Sequence, residues 1–237
     1  MDVLSIYLTR IINNVPIFHN NMIRKYIKQI VCYLLYNKLK KKVTLLGTHY
    51  RVGLHAVVSF RDGSCKSDIT IGNNVDVYGR LYTQSHGKIV IGNSCQIGLN
   101  VTIRSVELVS LGNSVILSEG VMVTDNNSHP TVPLFQYYRS QMPPSSTLHL
   151  WKHSAHKPVI IEDNVWIGEH ARICKGVTIG KNSIIGANSV VTKDVPRNCI
   201  AAGNPAKIVR TDIDKLPWPN TCPEFDLLIE KYGRDIK

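Results

Sequence analysis

The sequence predicts a mainly β chain, a β-solenoid, and two observations predict it. From Ile161 to Val191 an aliphatic residue returns at every sixth position: Ile161, Ile167, Ile173, Ile179, Ile185, Val191. Four places after each stands a second small or branched residue, Val165, Ala171, Val177, Ser183, Ser189 and Val195, so each hexad carries two inward positions. A period of six suits neither the 3.6-residue helix nor the two-residue strand. It suits short strands stacked coil upon coil, with Gly168, Gly180 and Gly186 bending the chain beside the buried residue.

In chain order, residues 1–44 form a separate helical, basic segment. The first 42 residues contain no glycine and hold Arg10, Arg24, Lys25, Lys28, Lys38, Lys40, Lys41 and Lys42 against the single acid Asp2. One reading makes this segment a cap on the open end of the solenoid, which every solenoid needs. A second makes Ile23, Ile27, Ile30, Val31, Leu34 and Leu35, with the Lys38–Lys42 run, a basic amphipathic surface for anionic lipid at the inner face of a membrane.

The solenoid domain is expected over 45–210, with Leu45 to Phe60 as a degenerate first coil and His55 near a corner. The triplets Ile71-Gly72-Asn73, Ile91-Gly92-Asn93 and Leu111-Gly112-Asn113 recur at a spacing of twenty, one coil each. An excursion over 124–158 then interrupts the repeat. Its five prolines, with Phe135, Tyr137, Tyr138 and Trp151, describe a built lobe rather than a plain linker. Residues 211–237 are an extension, with a short helix from Pro223 to Tyr232.

The chain has 237 residues, 43% hydrophobic and 19% charged, with a formal charge of +11, so anionic partners are expected. Its six cysteines are scattered without a CxxC pair, which reads as reduced thiols with no zinc or redox motif. The start lacks the features of a secretory leader, and the apolar run Ile30 to Tyr36 is too short to span a bilayer. The expected compartment is the cytoplasm.

The hexads, the excursion with His129-Pro130 at its root, and the closing Ala202-Gly203-Asn204-Pro205-Ala206-Lys207-Ile208-Val209-Arg210 together resemble the hexapeptide-repeat acyltransferases, in particular the sugar and polysaccharide O-acetyltransferases. The resemblance implies a left-handed parallel β-helix, a homotrimer, acetyl-CoA as co-substrate, no metal, and active sites between subunits. By motif position it makes His129 the catalytic base, with Asp125 either orienting that ring or holding a sugar hydroxyl. Imidazole, titrating near neutrality, suits removal of a hydroxyl proton. For coenzyme A it assigns Trp166 beside the thioester, Gly168 and Ala187 along the pantetheine arm, Thr192 and Lys193 at a corner, and Lys207 and Arg210 on the phosphates. Gly120 stands where galactoside-type relatives carry an asparagine that contacts the acceptor.

Other functions compete with this one. An antibiotic acetyltransferase shares the hexads and the excursion histidine. A zinc lyase related to carbonic anhydrase shares the helix, but His149, His153 and His156 sit close together in the excursion rather than on successive coils. A non-catalytic scaffold or a nucleic-acid binder would use the +11 charge, and no nucleic-acid fold is written in the chain.

Overall fold

The computed structural model describes residues 21–217 and 223–232. Its body is three sheets of short strands, of 6, 8 and 6 strands, which the chain visits in rotation. Apart from the closing pair of the 8-stranded sheet, each strand pairs in parallel with the strand one coil away, for example Ile167 with Leu117 and Ile185, or Ile173 with Val123 and Val191. This is a parallel β-helix.

The hexad rule is obeyed side chain by side chain. Ile167, Ile173, Ile179 and Ile185 are fully buried, and so are Ser183 and Ser189 of the second inward set. The two serines are satisfied inside: Ser183 Oγ donates to Pro196 O at 2.7 Å and Ser189 Oγ accepts the Gly203 amide at 3.0 Å. In the later coils the register step is 18 residues, three hexads, as in Trp166 against Ile184. In the earlier ones it is 20, as in Gln96 against Ile116.

The triplets explain the corner between the first and second sheets. A Cβ on Gly92 would lie 2.4 Å from Gly112 O, so the second position admits no side chain. The third position forms a ladder, with each amide held by the side chain above: Asn73 N to Asn93 Oδ1 at 2.8 Å, Asn93 N to Asn113 Oδ1 at 2.9 Å, Asn113 N to Asp163 Oδ1 at 2.7 Å. The fourth position is left-handed backbone, with φ of 56–63° at Asn74, Ser94, Ser114, Asn164, Asn182 and Asn198, a conformation asparagine tolerates better than most residues.

The degenerate first coil is present as Thr44–Leu45, Tyr50–Val52 and Val57–Arg61, one strand in each sheet, with His55 in the turn between the last two. Helix α1, Asn21–Lys40, covers it. Leu39 and Val43 enter the core, Leu35 and Tyr36 pack against it, and Tyr36 stacks on Tyr50 with ring centres 6.0 Å apart. The Lys42 ammonium donates to Val58 O at 2.7 Å. Ile30, Tyr33 and Leu34 face outward. The basic segment's residues 1–20 lie outside the described residues.

At the other end, Ile200–Gly203 and Ala206–Arg210 form an antiparallel hairpin through a cis Asn204–Pro205 bond. Helix α3, Pro223–Tyr232, follows. The excursion contains helix α2, Pro133–Ser140, and two short 3-10 turns.

Candidate active site

The excursion leaves after the third-sheet strand Met122–Thr124 and returns into the first-sheet strand Val159–Ile161. Its two ends are zipped together. Asn127 N donates to Ala155 O at 3.0 Å, Lys157 N to Asp125 O at 2.8 Å, and Asn126 bridges His156. The lobe is also tied to the solenoid: His156 Nδ1 meets Glu107 Oε2 at 2.8 Å, Trp151 N donates to Gln84 Oε1 at 3.0 Å, Lys152 pairs with Asp62 at 2.8 Å, and the Arg104 guanidinium lies 5.6 Å from the centre of the Trp151 ring.

On this stem stands His129. Asn126 and Pro130 are buried on either side of it, and Ser128, at φ 61°, turns the chain while its amide donates to Asn126 Oδ1 at 2.9 Å. The imidazole is lifted out of that pedestal into solvent. Partial desolvation, then the charges of Arg139 and His149, hold it below the ordinary imidazole range, so the ring is neutral at pH 7. Arg139, on α2, donates to His129 Nδ1. A guanidinium cannot accept, so the neutral ring carries its proton on Nε2 in this state.

Asp125 does not orient that ring. It is fully buried, and its carboxylate accepts from Ser105 Oγ at 2.8 Å, Val106 N at 3.0 Å, Glu107 N at 2.8 Å and Asn126 Nδ2 at 2.9 Å. All its acceptor capacity is spent at the corner of the coil below, where two bare amides need a partner once the strand ends. It supports the pedestal instead of touching the histidine. Asp125 lies in the solenoid interior, out of reach of a sugar hydroxyl as well.

The residues assigned to coenzyme A fall into two groups. Trp166 is half exposed on the outer face of the second sheet, its Nε1 donating to Ser118 Oγ at 2.9 Å. Gly168 and Ala187 follow at the next corner, so close that a Cβ on Gly168 would lie 2.7 Å from Ala187 N. That column offers bare backbone. Thr192, Lys193 and Lys207 line one cleft of about 340 Å³, closed by Val195, Ala201, Pro205 and Ile208 under the hairpin. Exposed Arg210 sits further along the hairpin opposite Ile200 and is outside that cleft.

Gly120 has its own reason to be glycine. Its φ is +71°, and a Cβ there would lie 2.2 Å from His170 Nδ1 of the next coil. The three clustered histidines go separate ways: His149 Nε2 faces Met142 O at 3.3 Å, His153 packs on Phe135, and His156 pairs with Glu107. Among the described residues no group of three or more His, Cys, Asp or Glu side chains could hold a metal ion.

Sequence reading missed Arg139. The signal was there: from Asn126 to Ile161 there is no Asp or Glu, so a helix arginine in that lobe lacks any local acid to pair with.

Residues 158–193 match the family described as Bacterial transferase hexapeptide (six repeats). The chain is 34% identical over 146 residues to a galactoside O-acetyltransferase of Escherichia coli K12, covering 62% of this chain and 65% of that one. It is 31% identical over 140 residues to the putative lipopolysaccharide biosynthesis O-acetyl transferase WbbJ of the same organism, covering 59% and 66%. The chain thus spans slightly under two thirds of the length of these two curated relatives. Its fold is shared with AntD, an N-acyltransferase from Bacillus cereus solved with dTDP and 3-hydroxybutyryl-CoA, at a TM-score of 0.58, 20% identity, and coverage of 83% of this chain and 94% of that one. A second structure, the polySia specific acetyltransferase NeuO, aligns at a TM-score of 0.52 and 21% identity, covering 81% and 97%. The strict sixth-residue repeat, the coil it builds and the match over residues 158–193 identify the solenoid as a hexapeptide-repeat fold.

Proposed function

We propose that this chain is an acetyl-CoA-dependent O-acetyltransferase that works on a sugar hydroxyl, with His129 as general base. The observation that carries the reading is a neutral imidazole held on a rigid stem where the solenoid opens, in a chain whose relatives are named as sugar O-acetyltransferases. The thioester is already activated, so no covalent enzyme intermediate is required. As the hydroxyl oxygen attacks the thioester carbonyl, His129 takes its proton; the carbon–sulfur bond breaks, and the proton passes to the departing thiolate. Lys193 and Lys207 offer cations for phosphate groups in the cleft beneath the hairpin, and the Gly168–Ala187 column offers a bare shoulder on which a flexible arm can lie.

Within one chain, Trp166 looks out from the second sheet while His129 rises at the corner between the third and first. A threefold assembly would bring one chain's histidine beside its neighbour's second sheet, and the exposed Ile116 and Trp166 there give that contact an apolar surface. The proposed unit is a homotrimer with its sites shared between chains. Among the described residues no helix is long and apolar enough to cross a membrane. The exposed Ile30, Tyr33 and Leu34 of α1, beside Lys40 and Lys41, are the surface for any peripheral lipid contact.

The experiment is to incubate the protein with labelled acetyl-CoA and a panel of oligosaccharides and nucleotide sugars. Label on a sugar oxygen is expected. Label on none of them, with acetyl-CoA intact, would defeat the proposal.

A further inference from the structure

The lobe that presents His129 has a one-sided charge. Between Asp125 and Glu162 the chain holds Arg139, Lys152, Lys157 and four histidines, and no acid at all. Two of those groups are engaged with carboxylates of the solenoid: Lys152 with Asp62, His156 with Glu107. Arg139 is not. Among the described residues no carboxylate pairs with its guanidinium, whose hydrogen-bond partner there is the ring of His129. Guanidinium against imidazole is a poor match, since one of two cationic groups must stay neutral for the contact to exist. A planar fork of donors next to the reacting centre, with no anion paired to it among the described residues, is built to receive one from outside.

The same helix carries an exposed apolar face. Leu134, Tyr137 and Tyr138 are 61%, 61% and 54% exposed, and the two tyrosine rings meet edge to face with centres 5.7 Å apart. Such a platform fits the apolar faces of a sugar ring, while the phenol hydroxyls reach its rim. The helix thus offers a stacking surface, a cation and the base in one short span.

We propose that the acceptor is a saccharide bearing a negative charge, a carboxylate or a phosphate, which Arg139 binds, and that this binding frees His129. Without acceptor, Arg139 occupies His129 Nδ1 and holds the ring's proton on Nε2. An anion draws the guanidinium away, and the ring is then able to present a lone pair to the hydroxyl of the same sugar. The anchor and the trigger are one residue. This inference rests on the O-acetyltransferase reading for the transfer itself, but the anion site stands on geometry and charge alone.

The test uses three matched acceptors: a neutral hexose oligosaccharide, the corresponding uronic acid oligosaccharide, and a hexose phosphate. Binding is measured by calorimetry and transfer with labelled acetyl-CoA, in the full chain and in Arg139→Gln and Arg139→Lys, after melting curves show that each variant is folded. The expected result is a preference of about tenfold or more for one charged acceptor over the neutral one, the scale of a hydrogen bond to a charged group. That preference disappears in Arg139→Gln and survives in part in Arg139→Lys. The uronic acid and phosphate arms tell the two anions apart. In nuclear magnetic resonance of ring nitrogens, saturating charged acceptor shifts the His129 tautomer in the unaltered chain, and Arg139→Gln shows the shifted signal without acceptor. Indifference to charge, or a preference that outlives Arg139→Gln, overturns the inference. Transfer to the neutral sugar as fast as to both charged ones leaves the O-acetyltransferase reading intact and removes this one. Charged-sugar binding through Arg139 with no transfer to any sugar does the reverse.

Discussion

At His129 the direction of the pKa shift dictates the pH behaviour. The ring titrates below its ordinary value of 6.5 because it is partly desolvated and lies beside Arg139 and His149, so it stays neutral, and able to accept a proton, further into acid. The acid limb of kcat/KM is therefore expected below pH 6.5. The sign for stability is the opposite of a gain: the unfolded chain binds the proton more readily, so this group costs stability as pH falls below 6.5. His129→Ala should lower kcat by about a hundredfold or more, as loss of a general base does, with melting unchanged. Asp125→Asn tests a different role. An amide would point hydrogens at donors that now meet a carboxylate, so a loss of about 1–3 kcal/mol in stability is expected, read by thermal or urea unfolding. Because Asp125 never touches the ring, its substitution should leave the acid limb of the pH profile where it was. Movement of that limb would return the residue to a direct role. The sequence made Asp125 and His129 neighbours by spacing, and spacing is blind to which way a side chain turns at the end of a strand. Asp125 continues the inward column of Thr83 and Ser105, one coil apart each, and so points into the solenoid.

Among the elements, the hexad coils were the most legible. Their inward positions follow from periodicity alone, and every residue of both inward sets from Ile161 to Val195 is buried. The corners were less so. Glycine at the second place of each triplet reads as flexibility, whereas its cause is the backbone of the coil above, and that proximity is a three-dimensional fact. Gly92→Ala should cost about 1–3 kcal/mol or more, the usual range for overpacking a tight site, because the atom it meets belongs to backbone and cannot rotate aside. A melting curve checks it; an unchanged midpoint would mean that the coils separate easily. Helix α1 shows the limits of reading charge as a run. Lys38 to Lys42 look equivalent in sequence, yet Lys42 is tied to Val58 O. A fair test of lipid attraction alters only Lys40 and Lys41. Their replacement by glutamine should leave melting unchanged, and sedimentation with anionic vesicles at low salt then reports the charge alone, at about 1 kcal/mol for each basic residue at such a surface.

The whole molecule is a stack whose proposed chemistry straddles copies. If each site takes its histidine from one chain and its second-sheet face from the next, then His129→Ala and Trp166→Ala chains, each weak alone, should recover activity when unfolded together and refolded as a mixture. Failure to recover, with mixed trimers verified by mass, would assign the site to a single chain. The excursion itself was visible in sequence as a lapse in the repeat, but its stem was not, since nothing local announces that Asn127 and Ala155 will meet. That stem has a further consequence. The Asn113 to Asp163 rung of the corner ladder joins residues 50 apart with the same geometry as rungs joining residues 20 apart. The stack therefore does not register how much chain is spent between Thr124 and Val159. Closing a longer loop there costs only a logarithm of its length, about 0.6 kcal/mol for each doubling. The lobe is a cassette: its length can change while the coils above and below keep their register.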